Sequence, residues 1–344
     1  MNSRRRSVLS ACAVLATLAI GVPAGAAAAS DHSDQGQVDS YTFAVIGDIP
    51  YGPAQIAGFP KVVQQINADP QVQFVTHLGD IKDGSSVCSD EYFAQVKAQF
   101  DKFSDPLVYT VGDNEWTDCH RANNGSYDPL ERLAKVRSTF FPKPGYTLGQ
   151  HPAKVTSQAA QGIPEDVRYT RANVAFAALH IVGSNNSLAP WTGKTGPTPQ
   201  QTAEVLGRTA AVIQSIRETF AQARAEHNKS VVLQTQADMF DPTVANPTYA
   251  DYFAFQPIVQ AIAQESADFP GPVYLFNGDS HVYNDDQPLA AGSKWLSLYG
   301  VTKPVSNLTR VTVDGSTAVN NYLRVTIDPR DRNVLSWTRV PFAS

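Results

Sequence analysis

Four Gly-Asp dipeptides, each directly after a short apolar run, constrain the fold of this chain more than any other feature. They lie at Gly47-Asp48, Gly79-Asp80, Gly112-Asp113 and Gly278-Asp279. The first three are separated by 32 and 33 residues, about the length of one strand–helix–strand repeat. Such repeats build parallel strands, whose carboxyl ends meet at one edge of a sheet. We therefore expect the four carboxylates to face one crevice.

Apolar periodicity supports this interpretation along the chain. Strands are predicted at 42–46, 72–78, 107–111, one or two within 168–182, 231–233, 273–276, 295–299, 308–313, 321–327 and 333–339. Helices are predicted at 54–68, 90–104, 128–140 and 199–227. Asp314-Gly315 is typical of a hairpin turn between two of the late strands. The pattern indicates one α/β domain over residues 41–344, with an antiparallel C-terminal part.

The N-terminus is typical of an export signal. Arginines at 4–6 precede an apolar run from Val8 to about Val22, and a tract of small residues follows up to Ala29. The run is shorter than the ~20 apolar residues that a membrane-spanning helix needs. We predict a signal peptide over 1–29, of the twin-arginine or the general type, and a polar, mobile leader over 30–40. The mature chain would be secreted or extracytoplasmic, without a membrane span.

Charge and cysteine content narrow the possible functions. The net charge of −5 offers no basic patch for nucleic acid or an anionic membrane. Removing residues 1–29 removes Cys12 and leaves Cys88 and Cys119. In an oxidising compartment we expect these two to form a disulfide. The bridge would tie together the loops that follow the second and third Gly-Asp motifs.

Four carboxylates in one crevice are unfavourable unless a cation compensates their charge. His281 follows the last of them by two residues and adds an imidazole to the cluster. A metal site is the simplest explanation, with Asp80 placed to bridge two cations as in centres for in-line phosphoryl displacement.

The order of these motifs resembles the calcineurin-like metallophosphoesterase family. The block Gly79-Asp80-Ile81-Lys82-Asp83-Gly84 closely matches the family's Gly-Asp-x-x-Asp motif, and the other Gly-Asp sites are variants. The resemblance implies a two-layer β-sandwich core flanked by helices, in four αββα layers. It also implies a dinuclear metal centre and phosphoester hydrolysis by in-line attack of a metal-bound hydroxide.

Several of the family's ligand histidines are replaced here. Pro50 stands where the first motif has its histidine, and Asp279 replaces the first histidine of the last motif, whereas His281 keeps the second. For the histidine that follows the strand at 231–233, the stand-in is Gln236 or Gln234.

The third motif can be aligned in two ways. Without a gap, Asp113 takes the ligand position and Asn114 that of the catalytic histidine. With a shift of one residue, Asn114 is the ligand and Glu115 faces the leaving group. His120, in the following loop, is a further candidate for the general acid.

The resulting ligand set is rich in oxygen and contains a single imidazole. It comprises Asp48, Asp80, Asp113, Gln236, Asp279 and His281. Such a set favours one or two Mg²⁺, Mn²⁺ or Ca²⁺ ions over Zn²⁺. A tyrosinate–iron centre is not expected, because Asp83 stands where that subfamily has its tyrosine, and Tyr51 is predicted as a wall of the pocket.

Two functions are compatible with this site. The first is an exported metal-dependent phosphoesterase, a monomeric hydrolase acting on a small-molecule or exposed phosphoester. The alternative is a degenerate relative that binds metal, or a phosphorylated or surface ligand, without turnover. We favour the enzyme because all four carboxylates are present, and carboxylates in a crevice would be unfavourable without a cation.

Overall fold

The computed structural model describes residues 40–316 and 319–343. The predicted signal peptide (1–29) and the leader, except Ser40, lie outside these residues. None of the helices within them is long and apolar enough to cross a membrane.

The described part of the chain is built from strands and helices with the following bounds. The strands are β1 (Tyr41–Ile46), β2 (Val72–His77), β3 (Leu107–Tyr109), β4 (Thr156–Gln158), β5 (Ile163–Arg171), β6 (Val174–Ala178), β7 (Ser230–Gln234), β8 (Val273–Asn277), β9 (Asn284–Asp286), β10 (Leu308–Thr312), β11 (Asn321–Ile327) and β12 (Leu335–Pro341). The helices are α1 (Gly52–Asn67), α2 (Asp90–Phe100), α3 (Pro129–Phe140), α4 (Gly183–Asn186), α5 (Pro199–Ala225), α6 (Tyr249–Tyr252), α7 (Gln256–Ala267) and α8 (Lys294–Leu298).

The strands form two mixed sheets. The first has the order β12-β11-β1-β2-β3, and the second β4-β5-β6-β7-β8-β10-β9. Pairing is parallel from β1 to β3 and from β6 through β7 and β8 to β10, as the strand–helix alternation predicts. In the first sheet, β11 and β12 are added antiparallel beside β1.

Three apolar clusters separate four layers. Residues of both sheets pack in the central cluster, where the Phe43 ring meets those of Phe176 and Phe276 at 5.6 and 6.2 Å. A second cluster lies between the first sheet and α1, α2 and α3. A third lies between the second sheet and α5 and α7. The predicted αββα architecture is therefore confirmed.

Local signals explain the helix boundaries. Ser89 and Asp128 accept backbone N–H groups at the starts of α2 and α3. Thr198 and Gln201 form a reciprocal capping box at the start of α5, with Pro199 in the first turn.

Two sequence predictions for the C-terminal part are wrong. Residues 295–299 were expected as a strand, but 294–298 form the helix α8, which Ser293 caps. A short apolar run of this kind fits either structure, and here Trp295 packs among the helices of the third cluster. Asp314-Gly315 is not a hairpin turn, because β10 and β11 belong to different sheets.

Candidate metal centre

The predicted ligands lie just beyond the carboxyl ends of β1, β2, β3, β7 and β8. Two groups of side chains converge there, and the ligand atoms within each group lie within 4.8 Å of one another. The first group is Asp48, Asp80 and His281, and the second is Asp80, Asp113 and Asp279. Asp80 is shared by both groups, which is the position that a bridging ligand would take.

The backbone is strained where it presents these side chains. Asp48 and Asp80 both have φ of 52°, Asp279 has 74° and His281 has 63°. Residues other than glycine seldom adopt this left-handed conformation, and when they do they cluster at functional sites. The same sharp turn at the end of three strands directs the carboxylates toward one another.

Two of the motif glycines make room for the carboxylate of a different motif. A Cβ on Gly112 would lie 2.0 Å from Oδ1 of Asp80, and a Cβ on Gly278 would lie 2.2 Å from Oδ2 of Asp48. Their neighbours explain why no larger residue fits, since backbone and carboxylate are in direct contact.

Burial makes the carboxylates of Asp48, Asp80 and Asp279 difficult to ionise without a counter-charge. It raises the pKa of Asp80 well above its usual value, and the carboxylate of Asp113 is the next cause. Burial likewise raises the pKa of Asp279 well above its usual value, followed by the effect of Asp113. For Asp48, burial raises the pKa and the hydrogen bond to His281 opposes this.

The donor set fits a hard divalent cation. Within residues 40–316 and 319–343, no lysine or arginine forms an ion pair with Asp48, Asp80, Asp113 or Asp279, and the single imidazole contact is His281 Nε2 to Asp48 Oδ1 at 3.3 Å. Three buried carboxylates and the half-buried Asp279, with no lysine or arginine beside them, would be unfavourable in the absence of a bound cation. The set is rich in oxygen, as Mg²⁺, Mn²⁺ and Ca²⁺ prefer.

Amide side chains hold the shared carboxylate. Asn114 Nδ2 donates to Asp80 Oδ2 at 2.8 Å, and Gln236 Nε2 donates to Asp80 Oδ2 and Asp113 Oδ1 at 3.3 and 3.2 Å. Gln234 lies elsewhere, between the sheets, where it contacts Tyr169 and Thr76. Of the two glutamines, the structure brings Gln236 to the centre.

Glu115 does not lie where the shifted alignment requires it. The side chain is fully buried, and its Oε1 accepts hydrogen bonds from the Tyr109 hydroxyl and the Gly112 N–H, at 2.6 and 2.7 Å. Glu115 therefore holds the loop of the third motif and does not face a leaving group.

His120 is not brought to the carboxylates either. Its Nδ1 pairs with the hydroxyl of Thr192 at 2.7 Å, and its ring lies beside Trp191. The role of His120 as general acid stays a prediction without a supporting contact in the described structure.

Tyr51 was predicted only as a wall of the pocket, but it lies at the centre itself. Its hydroxyl lies 3.3 Å from Asp48 Oδ1, 3.1 Å from Asp80 Oδ2 and 3.2 Å from His281 Nε2. Burial, and then the nearby carboxylates, raise the pKa of this phenol well above its usual value. Its position three residues after Asp48 is the signal that could have pointed to it.

Ser184 is a second residue that the sequence did not reveal. It lies in α4, a single turn in which Ser184 and Asn185 both have φ of 52°. Its hydroxyl contacts Asp113 Oδ2 at 3.0 Å and Asp118 Oδ1 at 2.9 Å. Burial, and then the carboxylate of Asp113, raise the pKa of Asp118 to about 7.

The predicted disulfide between Cys88 and Cys119 is present and lies directly behind the centre. Its sulfur atoms are 3.5 and 3.6 Å from the carbonyl oxygen of Asn114, which also accepts a hydrogen bond from Lys82 Nζ at 2.9 Å. The bridge therefore supports the residue whose side chain holds Asp80.

Replacing Cys88 and Cys119 together by alanine is expected to weaken metal binding as well as the fold. Opening a loop with a sequence separation of 31 residues should lower the free energy of unfolding by about 3–4 kcal/mol. Metal affinity, measured by calorimetry well below the unfolding temperature, should also fall, because Asn114 loses its support. An unchanged metal affinity beside a lowered Tm would show that the bridge does not act on the centre.

The calcineurin-like phosphoesterase family model matches residues 41–162, which contain the first three Gly-Asp motifs. No curated protein sequence matches the chain significantly.

Two solved structures are similar at low identity. GAP50, the anchor in the inner membrane complex of Plasmodium, is 9% identical with a TM-score of 0.42, over 89% of this chain and 90% of that one. A purple acid phosphatase from yellow lupin seeds is 10% identical with a TM-score of 0.42, over 89% of this chain and 54% of that one. This chain thus spans about half of the lupin protein. The family resemblance carried by the Gly-Asp motifs is confirmed by the sequence match: residues 41–162 have the pattern of the calcineurin-like phosphoesterases.

Proposed function

We propose that this protein is a metal-dependent phosphoesterase. The observation that carries the proposal is the convergence of four carboxylates, three buried and that of Asp279 half-buried, and one imidazole at the carboxyl ends of β1, β2, β3 and β8. No lysine or arginine in the described residues forms an ion pair with them. The match of residues 41–162 to a phosphoesterase family supports the same chemistry.

In this proposal Asp48 and His281 would hold one cation, Asp113 and Asp279 a second, and Asp80 would be shared by both. Bound divalent cations would supply Lewis-acid charge for the phosphoryl oxygens and lower the pKa of a coordinated water. The oxygen-rich ligand set favours Mg²⁺, Mn²⁺ or Ca²⁺ over Zn²⁺.

The chain's own residues would position and admit the substrate. Asn114 and Gln236 fix the orientation of the Asp80 carboxylate through their amide N–H groups. The side chain of His281 is 36% exposed, whereas that of Asp48 is fully buried, so a phosphoester would approach from the side of His281. Asn114, with its N–H groups at the centre, would orient a phosphate oxygen.

Degenerate binding without turnover is the second candidate, and one observation favours it. The Tyr51 hydroxyl lies within hydrogen-bond distance of Asp48, Asp80 and His281, the group that would hold the first cation. If the hydroxyl occupies the place of the first cation, a cation would still bind to the second group, Asp80, Asp113 and Asp279.

A hydrolysis screen separates the two candidates. The purified protein is stripped with chelator and assayed on aryl phosphate mono- and diesters with Mg²⁺, Mn²⁺, Ca²⁺ or Zn²⁺, and the stripped protein serves as control. We expect hydrolysis that depends on an added hard cation. Metal binding without hydrolysis under any condition would favour the degenerate binder, and two tightly held zinc ions in the purified protein would contradict the hard-cation assignment.

A further inference from the structure

A cavity of about 290 Å³ opens beside the proposed metal centre and shares Asp279 with it. We call it the flanking cavity and define it by Ser184, Asp241, Asp251, Tyr252 and Phe255, which line it together with Asp279. Since Asp279 belongs to both, a ligand in the flanking cavity would be continuous with a phosphate at the centre.

Hydrogen bonds fasten the wall of this cavity to the centre. Asn185 donates through Nδ2 to the Ala250 carbonyl at 3.3 Å and accepts the Ala254 N–H at 3.1 Å. The adjacent Ser184 contacts Asp113 at 3.0 Å. The segment that carries Asp251, Tyr252 and Phe255 is therefore held at a defined position relative to the carboxylates.

The flanking cavity carries negative charge that no described side chain neutralises. Asp238 is paired with Arg310 at 2.7 Å, but neither Asp241 nor Asp251 forms an ion pair with any described residue. One oxygen of Asp241 accepts from Thr243 and one oxygen of Asp251 from Thr248, which leaves the second oxygen of each without such a partner. Lys294 Nζ, which contacts the carbonyl of the lining residue Val244, is bound to that carbonyl and to the carbonyl of Ala245.

Tyr252 lines this acidic space, and its hydroxyl has no partner among the described side chains and backbone groups. The residue is only 9% exposed, and its hydroxyl forms no hydrogen bond with any residue in the described ranges. Burial raises the pKa of the phenol, and the next causes are the carboxylates of Asp241 and Asp238. Tyr252 therefore borders the cavity together with Asp241, Asp251 and Asp279, and its hydroxyl is available to a ligand there.

The shape of the site suits an organic cation better than a metal ion. Among the described residues, Asp241 and Asp251 join neither of the two groups whose ligand atoms converge within 4.8 Å. Aromatic rings of Tyr252 and Phe255 line the same space, and aromatic faces attract ammonium groups. The volume is that of about ten water molecules, which accommodates a small organic group.

We propose that the flanking cavity binds an ammonium group on the leaving alcohol, so that the substrate is a phosphoester of an amino or quaternary-ammonium alcohol. The phosphate would lie at the metal centre, the ammonium group between Asp241 and Asp251, and the aromatic rings of Tyr252 and Phe255 against it. The placement of the phosphate rests on the proposed function, whereas recognition of the cation rests on the flanking cavity alone.

Two isosteric esters test the recognition of charge. Phosphocholine and 3,3-dimethylbutyl phosphate have the same shape, but the second has carbon in place of the cationic nitrogen. We expect kcat/KM to be about tenfold higher for phosphocholine, and Asp241→Asn and Asp251→Asn each to lower that ratio by about fivefold. Asp101→Asn, in an exposed pair with Lys97 on α2, is the matched control and should leave the ratio unchanged. Equal kcat/KM for the two esters would overturn the proposal.

A binding measurement separates this inference from the catalytic proposal. Choline is titrated into the protein by calorimetry, beside 3,3-dimethylbutanol, in the wild type and in the Asp241→Asn/Asp251→Asn double variant. If the wild type binds choline and the double variant does not, cation recognition by the flanking cavity is supported even if no ester is hydrolysed. If the protein hydrolyses aryl phosphates but neither binds choline nor discriminates between the two esters, the inference is wrong and the proposed function is unaffected. If the protein neither hydrolyses a phosphoester nor binds choline, both the inference and the proposed function are wrong.

Discussion

Asparagine in place of Asp80 is expected to lower metal-dependent phosphoester hydrolysis by about 10³-fold or more. Asp80 belongs to both groups of converging ligands, so its loss removes a ligand from each proposed cation at once. The asparagine side chain has nearly the same shape as that of aspartate but carries no charge. The measurement is kcat/KM on the best aryl phosphate of the screen, at saturating metal.

The same variant is expected to stabilise the protein in chelator. Because burial raises the pKa of Asp80, the folded state disfavours its charged form, and stability declines as the pH rises from about 4 through the folded-state pKa. The neutral asparagine avoids this cost at pH 7, so the Tm of the chelated variant should exceed that of the chelated wild type. Added metal should raise the Tm of the wild type more than that of the variant.

Asp101→Asn serves as the control, because it removes one exposed carboxylate paired with Lys97 and leaves the centre intact. Its Tm should shift little in chelator or in metal, since exposed ion pairs contribute at most about 1 kcal/mol. Should Asp80→Asn hydrolyse as fast as the wild type, the bridging assignment would be wrong. A loss of stability in chelator would instead show that burying the Asp80 charge does not destabilise the folded state.

Alanine at Gly112 is expected to disrupt the centre although it adds a single methyl group. The new Cβ would lie 2.0 Å from Oδ1 and 2.5 Å from the backbone nitrogen of Asp80, so the clash cannot be relieved by rotating a side chain. We expect a loss of about 3 kcal/mol in the free energy of unfolding and at least a ~100-fold loss of metal affinity. Denaturant unfolding in chelator and metal titration measure the two effects separately.

Gly207→Ala is the matched control for that substitution. Gly207 lies in α5, and no atom comes within 4 Å of a Cβ built there. Alanine in this exposed helical position should raise stability by about 0.5–1 kcal/mol and leave metal affinity unchanged. Wild-type metal affinity in Gly112→Ala would show that the tight contact with Asp80 is not needed for the centre.

The predictable part of this molecule is the part that local signals determine. The strands before Asp48, Asp80 and Asp113 follow from apolar runs, and parallel pairing then brings their ends together. The capping residues Thr198 and Ser89 mark helix starts that depend only on a few neighbouring residues.

Features that depend on distant contacts could not be predicted in this way. Residues 308–313 and 321–327 look like the two arms of a hairpin, yet the second arm pairs with β1 in the other sheet. The position of the Tyr51 hydroxyl depends on the path of the loop after β1, and the burial of Glu115 depends on its bond to Tyr109. The contact of Ser184 with Asp113 depends on a left-handed turn in a loop without a recognisable motif.

The position of β11 has a consequence for the order in which the molecule can be assembled. In the first sheet β1 lies between β2 and β11, and Tyr41 pairs with Ile327. In any fragment that stops before residue 321, β1 would be an edge strand with an apolar, unpaired side, which is a template for pairing with other chains. Contacts so distant in sequence also slow folding. During synthesis, β1, the strand that precedes Asp48, can therefore be paired on both sides only after β11 has been made.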